Sequence, residues 1–304
     1  MSKITLKISK PILYSIIILL VTVAIVFAVI ESSRITNEYW WKKHTRELAE
    51  ERLNGEVERI QNIILSIEQI PQNLAYVLEF SKIRKEQIRF LLNAVVENND
   101  EVFGTCIAFE PNSYEKDSTF YAPYLYRKNG NLVYTDPTDS SDYYFSSDWY
   151  LIPRTLNQPV WIEPYFDAGS SGGNIVMATY SVPFYSFDGK KETIHGIIAV
   201  DISIDWLAKL VSSIKLFDEG YGILVSANGT VLSAPNPEWI YNESLFSLAD
   251  ENNVPLLRDI GRDLQQGKSG FINVGKFGTR RDWWIYYRPI PANKWGILLV
   301  VPEG

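Results

Sequence analysis

The longest apolar run of the chain extends from Ile12 to Ile30, 19 residues without a charged side chain. At 1.5 Å per residue, a helix of this length covers about the 30 Å hydrocarbon core of a bilayer. We interpret residues 11–30 as an uncleaved transmembrane helix, because a signal peptide has a shorter apolar core and small residues at its cleavage site. Three lysines precede the run, and the positive-inside rule therefore predicts cytoplasmic residues 1–10 and an external remainder.

Residues 31–97 have the pattern of stalk helices. One apolar stripe recurs at spacings of three and four, at Val57, Ile60, Ile63, Ile64, Ile67, Ile70 and Leu74. Pro71 is expected to kink or interrupt this helix. A second helix is predicted from Glu86 to Glu97, before the stop signal Asn98-Asn99-Asp100. The stripe either packs against the rest of the chain or forms the seam of a homodimer, and the sequence does not separate the two.

After Asp100 the pattern changes to short apolar segments separated by turn residues, which is typical of antiparallel strands. The predicted strands are Val102–Phe109, Tyr121–Arg127, Asn131–Thr135, Asn174–Tyr185, Thr193–Ile202, Tyr221–Ser226, Thr230–Ser233, Gly270–Val274, Trp283–Arg288 and Trp295–Val301. The predicted helices among them are Asp148–Leu156, Asp205–Ile214 and Val254–Gln265. We therefore predict an α+β fold with a long N-terminal transmembrane and stalk helix, followed by two stacked antiparallel sheets.

Composition and motifs narrow the function classes. A pI of about 5.1 and a formal net charge of −7 argue against a nucleic-acid partner. The single cysteine excludes an internal disulfide, and two distant histidines offer little for a zinc site. Because no phosphate-loop, nucleophile-elbow, zinc-protease or Cys-x-x-Cys motif occurs, we expect no cofactor and no metal. The glycine-rich segment 169–173 lacks a following Lys-Ser/Thr and is predicted to be a hairpin loop.

Aromatic residues make up 13% of the chain, and several accompany two carboxylates. Trp149 and Tyr150 share a predicted helix, Tyr165 stands two residues before Asp167, and Asp201 ends an apolar run. Rings attract cations through cation–π interactions, and carboxylates add charge-assisted hydrogen bonds. From the residues alone two interpretations stay open: a pocket for a cationic head group, or core rings with two capping aspartates.

Several segments together resemble double Cache (dCache) domains, the extracytoplasmic sensors of bacterial transmembrane receptors. They are Trp149-Tyr150, Pro164-Tyr165 with Asp167, Thr179-Tyr180-Ser181-Val182-Pro183, Gly196 to Ser203, Gly220-Tyr221-Gly222, Asn228-Gly229-Thr230 and Trp295-Gly296-Ile297. Similar sensors precede sporulation-type serine/threonine phosphatases, histidine kinases and chemoreceptor outputs. The resemblance implies two PAS-like units, a membrane-distal one over 98–204 and a connecting helix with a membrane-proximal one over 205–301. Residues 302–304 would begin a second transmembrane segment.

The resemblance also implies a small-molecule ligand in the distal unit. The implied contacts are Tyr124, Trp149, Tyr150, Tyr165, Asp167, Tyr180 and Asp201. Amino-acid-binding members have an arginine two residues before the Trp-Tyr pair, where this chain has Ser147. A hydroxyl does not replace a bidentate arginine, so an amine or another small polar ligand is expected unless Arg127 or Arg154 substitutes.

We therefore expect a ligand-sensing module in the inner membrane of a bacterium. It would not itself be an enzyme, would form a homodimer through its stalk helices, and would act on a cytoplasmic effector. Two alternatives remain open at this stage. One is an anchored hydrolase that uses Asp167 and Asp201 as acid and base, and the other is a dimerisation module that binds nothing.

Overall fold

The computed structural model describes residues 10–114, 119–136, 144–167, 175–187, 192–216, 219–276 and 282–303. The first element, α1, is one helix from Lys10 to Phe80. An 18-residue window within it has a mean hydropathy of 2.6 and no buried residues, so α1 can cross a membrane by length and composition. By its internal contacts the chain divides into two compact parts, with the boundary between Glu51 and Arg52.

The helix continues through Pro71, so the expected interruption at this residue is wrong. Proline in a helix interior costs about 3 kcal/mol through its missing N–H and its ring. On both sides of Pro71, however, the side chains of Ile67 and Leu74 are buried against the remainder of the Arg52–Glu303 unit. Their burial offsets the local cost and holds the helix together.

The first sheet has seven antiparallel strands. They are β1 (Val102–Phe109), β2 (Tyr124–Lys128), β3 (Asn131–Thr135), β4 (Val160–Trp161), β5 (Tyr165–Asp167), β6 (Ile175–Phe187) and β7 (Glu192–Ser203). Their order is β3-β2-β1-β7-β6-β4, and β5 also pairs with β6. Helix α2 (Lys85–Glu97) precedes this sheet, and α3 (Asp148–Leu156) lies between β3 and β4 in sequence. We call residues 85–203 the first unit.

The second sheet has five antiparallel strands in the order β10-β11-β12-β8-β9. They are β8 (Tyr221–Val225), β9 (Val231–Ser233), β10 (Gly270–Lys276), β11 (Asp282–Pro289) and β12 (Gly296–Pro302). Its helices are α4 (Ile204–Ser212), α5 (Leu245–Glu251) and α6 (Leu256–Gln265). We call residues 204–302 the second unit. The α+β class with a long helix and two antiparallel sheets is confirmed.

The apolar stripe of α1 packs inside the chain. Leu53, Val57, Ile60, Ile64, Ile67 and Leu74 are buried, whereas Ile63 and Ile70 are half-buried. Polar contacts fix the same part of the helix, since Arg288 donates to Asn54 at 2.7 Å and Gln72 donates to the Tyr180 hydroxyl at 3.0 Å. A homodimer through the stalk would therefore need other faces of the helix than this stripe.

Candidate functional site

The first unit contains a cavity of about 600 Å³. Strand residues contribute Cys106, Tyr124, Met177, Ala199 and Asp201, and α3 contributes Asp148, Trp149 and Ile152. The connection from β4 into β5 contributes Ile162, Glu163, Tyr165, Phe166 and Asp167, and the turn before α3 contributes Tyr144, Ser146 and Ser147. This volume is in the range of small-molecule sites, and its lining combines rings, aliphatic side chains and a few charges.

Five of the seven predicted ligand contacts line this cavity: Tyr124, Trp149, Tyr165, Asp167 and Asp201. Two others are engaged elsewhere. The buried Tyr150 donates its hydroxyl to Glu110 Oε1 at 2.7 Å. Tyr180 lies on the opposite sheet face, where its hydroxyl accepts the hydrogen bond from Gln72. Successive side chains of a strand point to opposite faces. On β6, Met177 points into the cavity, and Tyr180, three positions further along, therefore points away from it.

A chain of hydrogen bonds organises the sheet wall of the cavity. Asp201 on β7 is 4% exposed and accepts from Thr179 Oγ1 at 2.6 Å. The same Oγ1 lies 2.9 Å from the hydroxyl of Tyr165. Burial raises the pKa of Asp201 to about 6, and the charge of Asp167 adds to the rise, while hydrogen bonds from Thr179 and Tyr124 oppose it. Asp201 is therefore charged at neutral pH and close to its midpoint at pH 6.

Gly104 allows Tyr124 to reach this wall. Gly104 lies on β1 directly opposite Asp201 of β7. A Cβ atom at position 104 would stand 2.4 Å from the Tyr124 hydroxyl oxygen, so the tyrosine ring would have to move. The ring of Tyr124 can cross the strand only because this residue is glycine. Sequence reasoning selected Tyr124 but missed Gly104, since nothing in the local sequence indicates which ring covers it.

A salt bridge holds α3 against the end of β1. Glu110 accepts from Arg154 Nε at 2.5 Å and from Arg154 Nη2 at 3.0 Å, in addition to the bond from Tyr150. The bidentate contact and the tyrosine hydrogen bond together engage both oxygens of the Glu110 carboxylate. The helix is thereby positioned so that Trp149 and Asp148 border the cavity.

Arg127 and Arg154 were possible substitutes for the arginine that binds the ligand carboxylate in amino-acid-binding members. Both have other roles in this structure. Arg154 is bound to Glu110, as described above. Arg127 donates to the backbone carbonyls of Val96, Asn99 and Val102, and so satisfies the end of α2. Among the described residues that line the cavity there is no lysine and no arginine.

Sequence reasoning missed two further carboxylates of the lining, Asp148 and Glu163. Each is adjacent to a segment that was selected, since Asp148 precedes Trp149 and Glu163 stands two positions before Tyr165. Glu163 Oε1 also accepts from the backbone N–H of Asn228 in the second unit, at 3.3 Å. Within the described part of the chain, no three His, Cys, Asp or Glu side chains converge as a metal site would require. The acids are thus spread around the lining.

The segment 169–173, predicted as a hairpin loop, lies outside the described residues.

Comparison with known proteins shows which domains the chain resembles. Residues 88–209 match the family model of the first PDC sensor domain of methyl-accepting chemotaxis protein-like receptors. The methyl-accepting chemotaxis protein McpC of Bacillus subtilis is 25% identical over 198 residues, which cover 61% of this chain and 29% of McpC. The chain spans less than a third of the length of the curated relatives that it matches.

Solved structures share the arrangement of both sheets. The extracellular domain of the putative histidine kinase mmHK1S-Z2 aligns with a TM-score of 0.72 at 24% identity, covering 85% of this chain and 97% of that domain. The ligand-binding domain of the amino acid chemoreceptor PctB of Pseudomonas aeruginosa, in complex with L-Gln, aligns with a TM-score of 0.57 at 20% identity, covering 84% and 90%. Residues 88–209 therefore resemble the first PDC sensor domain of chemotaxis receptors, and the chain has the fold that these extracellular and ligand-binding domains share.

Proposed function

We propose that this chain is the extracytoplasmic sensing part of a bacterial membrane receptor and that it binds a small amine-type cation in the cavity of the first unit. One observation carries the ligand class: acidic and aromatic side chains line the cavity together, without a lysine or arginine among its described residues. A protonated amine gains cation–π attraction from Trp149 and charge-assisted hydrogen bonds from Asp167 and Asp201. A free carboxylate would meet like charges there.

The membrane topology is part of this proposal. With the basic residues 1–10 in the cytoplasm and residues 11–30 in the inner membrane, the sensor units would lie outside the cytoplasm. The domain limits predicted from the sequence, 98–204 for the distal unit and 205–301 for the proximal unit, stay predictions. A cytoplasmic effector and a homodimer formed through the stalk complete the proposed receptor, and binding rather than catalysis is its mode of action.

The β4 segment supplies a route from the cavity to the helix. Trp161 stands directly before the lining residues Ile162 and Glu163, and its Nε1 donates to Glu68 Oε1 of α1 at 2.7 Å. Its ring centroid lies 6.3 Å from that of the buried Trp295 in the second unit. A ligand that prefers one arrangement of this segment would therefore bias the position of α1 and of the second unit.

Thermal unfolding of the full chain in detergent, measured against amines, amino acids, organic acids and purines, tests the proposal. A ligand at 100 times its dissociation constant stabilises the folded state by about 2.7 kcal/mol, which is a shift of several degrees. We expect the shift with amines. A shift confined to carboxylates would show that the ligand class is wrong, and the absence of any shift would remove the support for ligand sensing.

A further inference from the structure

The carboxylates of the cavity belong to two different walls. Asp167 and Asp201 come from the sheet strands β5 and β7 and are 8% and 4% exposed. Asp148 is the first residue of α3, and Glu163 lies in the connection between β4 and β5. All four face one cavity of about 600 Å³. The negative charge is thus divided between the sheet and the surrounding helix and connection.

These acids do not converge on one point. No three acidic, histidine or cysteine side chains of the described residues are close enough together to hold a single metal ion. One ammonium group is likewise too small to contact carboxylates that stand apart, because a charge-assisted hydrogen bond requires a separation of about 2.7–2.9 Å. A ligand with one positive charge would leave part of the lining charge uncompensated inside a partly enclosed space, which is unfavourable.

No lysine or arginine of the described residues lines the cavity, so none of them supplies the missing charge. The arginines nearest in sequence to the lining segments are bound elsewhere, Arg154 to Glu110 and Arg127 to the end of α2. The remaining lining is largely apolar or aromatic and includes Ile152, Ile162 and Met177. Such side chains bind a methylene chain through the hydrophobic effect.

We propose that the ligand carries two positive charges joined by an apolar spacer, as in a linear diamine or an amine with a guanidinium group. This inference rests on the proposed amine site and adds a second subsite to it. One ammonium group binds at Asp201 and Asp167, and the other binds at Glu163, with the exposed Asp148 also in the lining. The spacer packs against the aliphatic and aromatic lining.

The second subsite connects ligand length to the second unit. Glu163 Oε1 already accepts the backbone N–H of Asn228, which lies in the turn between β8 and β9. A cation at Glu163 therefore binds the same carboxylate that links the two sheet units. Only a ligand long enough to reach Glu163 from the sheet wall has this effect, so the same residue selects the ligand and reports its presence.

Calorimetric titration of the full chain in detergent tests this with four probes: 1,4-diaminobutane, 1,6-diaminohexane, n-butylamine and n-hexylamine. We expect at least one diamine to bind 10-fold or more tightly than the monoamine of equal chain length. The Glu163→Gln variant should lose this preference while it keeps the monoamine affinity. Asp148→Asn tests the exposed acid in the same way, and Glu251→Gln, on the surface of the second unit, is the matched control.

The outcomes separate the two proposals. Equal binding of monoamines and diamines overturns the second subsite and leaves the amine site intact. If Glu163→Gln weakens both kinds of ligand equally, Glu163 belongs to the first ammonium site and the inference is wrong. If none of the four probes binds, the amine site and its extension both fail. A lost diamine preference in Glu163→Gln but not in Glu251→Gln supports the inference.

Discussion

The two sheet units differ in what covers the packed face of each sheet. In the second unit, Ile223, Val225, Ile285, Leu298 and Val300 of the sheet pack with Leu245, Leu248, Leu257, Ile260 and Leu264 of α5 and α6. In the first unit the corresponding face carries small or polar side chains, such as Cys106, Ala199 and Asp201, and α3 leaves a cavity above them. One sheet is filled with aliphatic side chains, while the other keeps space and charge. This difference favours the first unit as the place of the proposed ligand and the second unit as its support.

Each sheet contains a glycine that is covered by a tyrosine ring, so the two sheets can be compared at matching positions. A Cβ atom on Gly104 or on Gly270 would stand 2.4 Å from a tyrosine hydroxyl oxygen, that of Tyr124 or Tyr287 respectively. In the second unit Tyr287 donates to Asp263 at 2.6 Å, on a carboxylate that is partly exposed. In the first unit Tyr124 lines the cavity beside the buried Asp201. The glycine–tyrosine contact therefore packs the second sheet, whereas in the first sheet it places a tyrosine in the wall of the cavity.

Truncation of the filled core should have the largest effect. Ile285→Ala removes a fully buried side chain from the second unit and should lower the free energy of unfolding by about 2–5 kcal/mol. Met177→Ala in the first unit should cost less, because the side chain already borders open space. Denaturant unfolding of both variants measures the difference, and equal losses would contradict the contrast between a filled and an open unit.

Asp201 should make the stability depend on pH. Its folded pKa of about 6 lies above the ordinary value of 3.8, so the folded state binds the proton more tightly than the unfolded state. The stabilisation by protonation is fully present below pH 3.8 and is lost as the pH rises through 6, with a total of about 3 kcal/mol. Unfolding of the parent and of Asp201→Asn at pH 7 and pH 5 measures the part of this contribution that falls between the two pH values, about 1.3 kcal/mol. Identical pH dependence would exclude a raised pKa at this residue.

Amine affinity should rise with pH, whereas the stabilisation by protonation of Asp201 falls with pH. Lowering the pH through 6 removes the charge of Asp201, so amine binding by the parent should weaken while Asp201→Asn changes little over that range. Titrations at pH 7.5 and pH 5 measure this, and an affinity that stays constant in the parent would speak against a role for the Asp201 charge.

The two glycines provide a matched pair of substitutions. Gly104→Ala and Gly270→Ala each force a tyrosine ring to move and should each cost about 1–3 kcal/mol of stability. Only Gly104→Ala should also weaken ligand binding, because only Tyr124 lines the cavity. Denaturant unfolding and ligand titration of both variants separate the two effects. Equal loss of binding in both variants would mean that the effect is global.

The contact between Trp161 and Glu68 should have the smallest effect. Trp161→Phe keeps most of the ring packing but removes the N–H that donates to Glu68 at 2.7 Å. A double-mutant cycle with Glu68→Met, which removes the acceptor oxygen, should give a coupling energy of about 1 kcal/mol in the free energy of unfolding. A coupling indistinguishable from zero would remove this contact from the proposed route between cavity and helix.

Patterns of local origin were predictable from the sequence. The apolar run within α1, the longer strands and the α+β class follow from periodicity. Asp167 and Asp201, which the family resemblance implies as ligand contacts, line one cavity, and their role in binding stays a prediction. Tertiary packing decided the rest. Pro71 stays helical because its neighbours are buried. Tyr180 lies on the sheet face away from the cavity, which the resemblance does not reveal, and the pattern does not predict α5 because its seven residues show too little periodicity.

The contribution of Glu163 could not be foreseen for a related reason. It lies in a short connection whose path depends on β4 and β5, strands of only two and three residues that the sequence pattern did not reveal. Which side of such a connection faces a cavity is fixed by its pairing with β6, and that pairing joins residues 8 to 21 positions apart. Spacing within the connection itself carries no such information.

The central claim is that a buried carboxylate of the first unit binds a cationic ligand. The most direct test is calorimetric titration of the amine with the largest thermal shift into the parent chain, Asp201→Asn and Asp263→Asn. Asp263 is the matched control, since it is the carboxylate that accepts from a tyrosine in the second unit. We predict at least a 10-fold loss of affinity for Asp201→Asn and none for Asp263→Asn. Parent-like affinity in Asp201→Asn would contradict the assignment of the site.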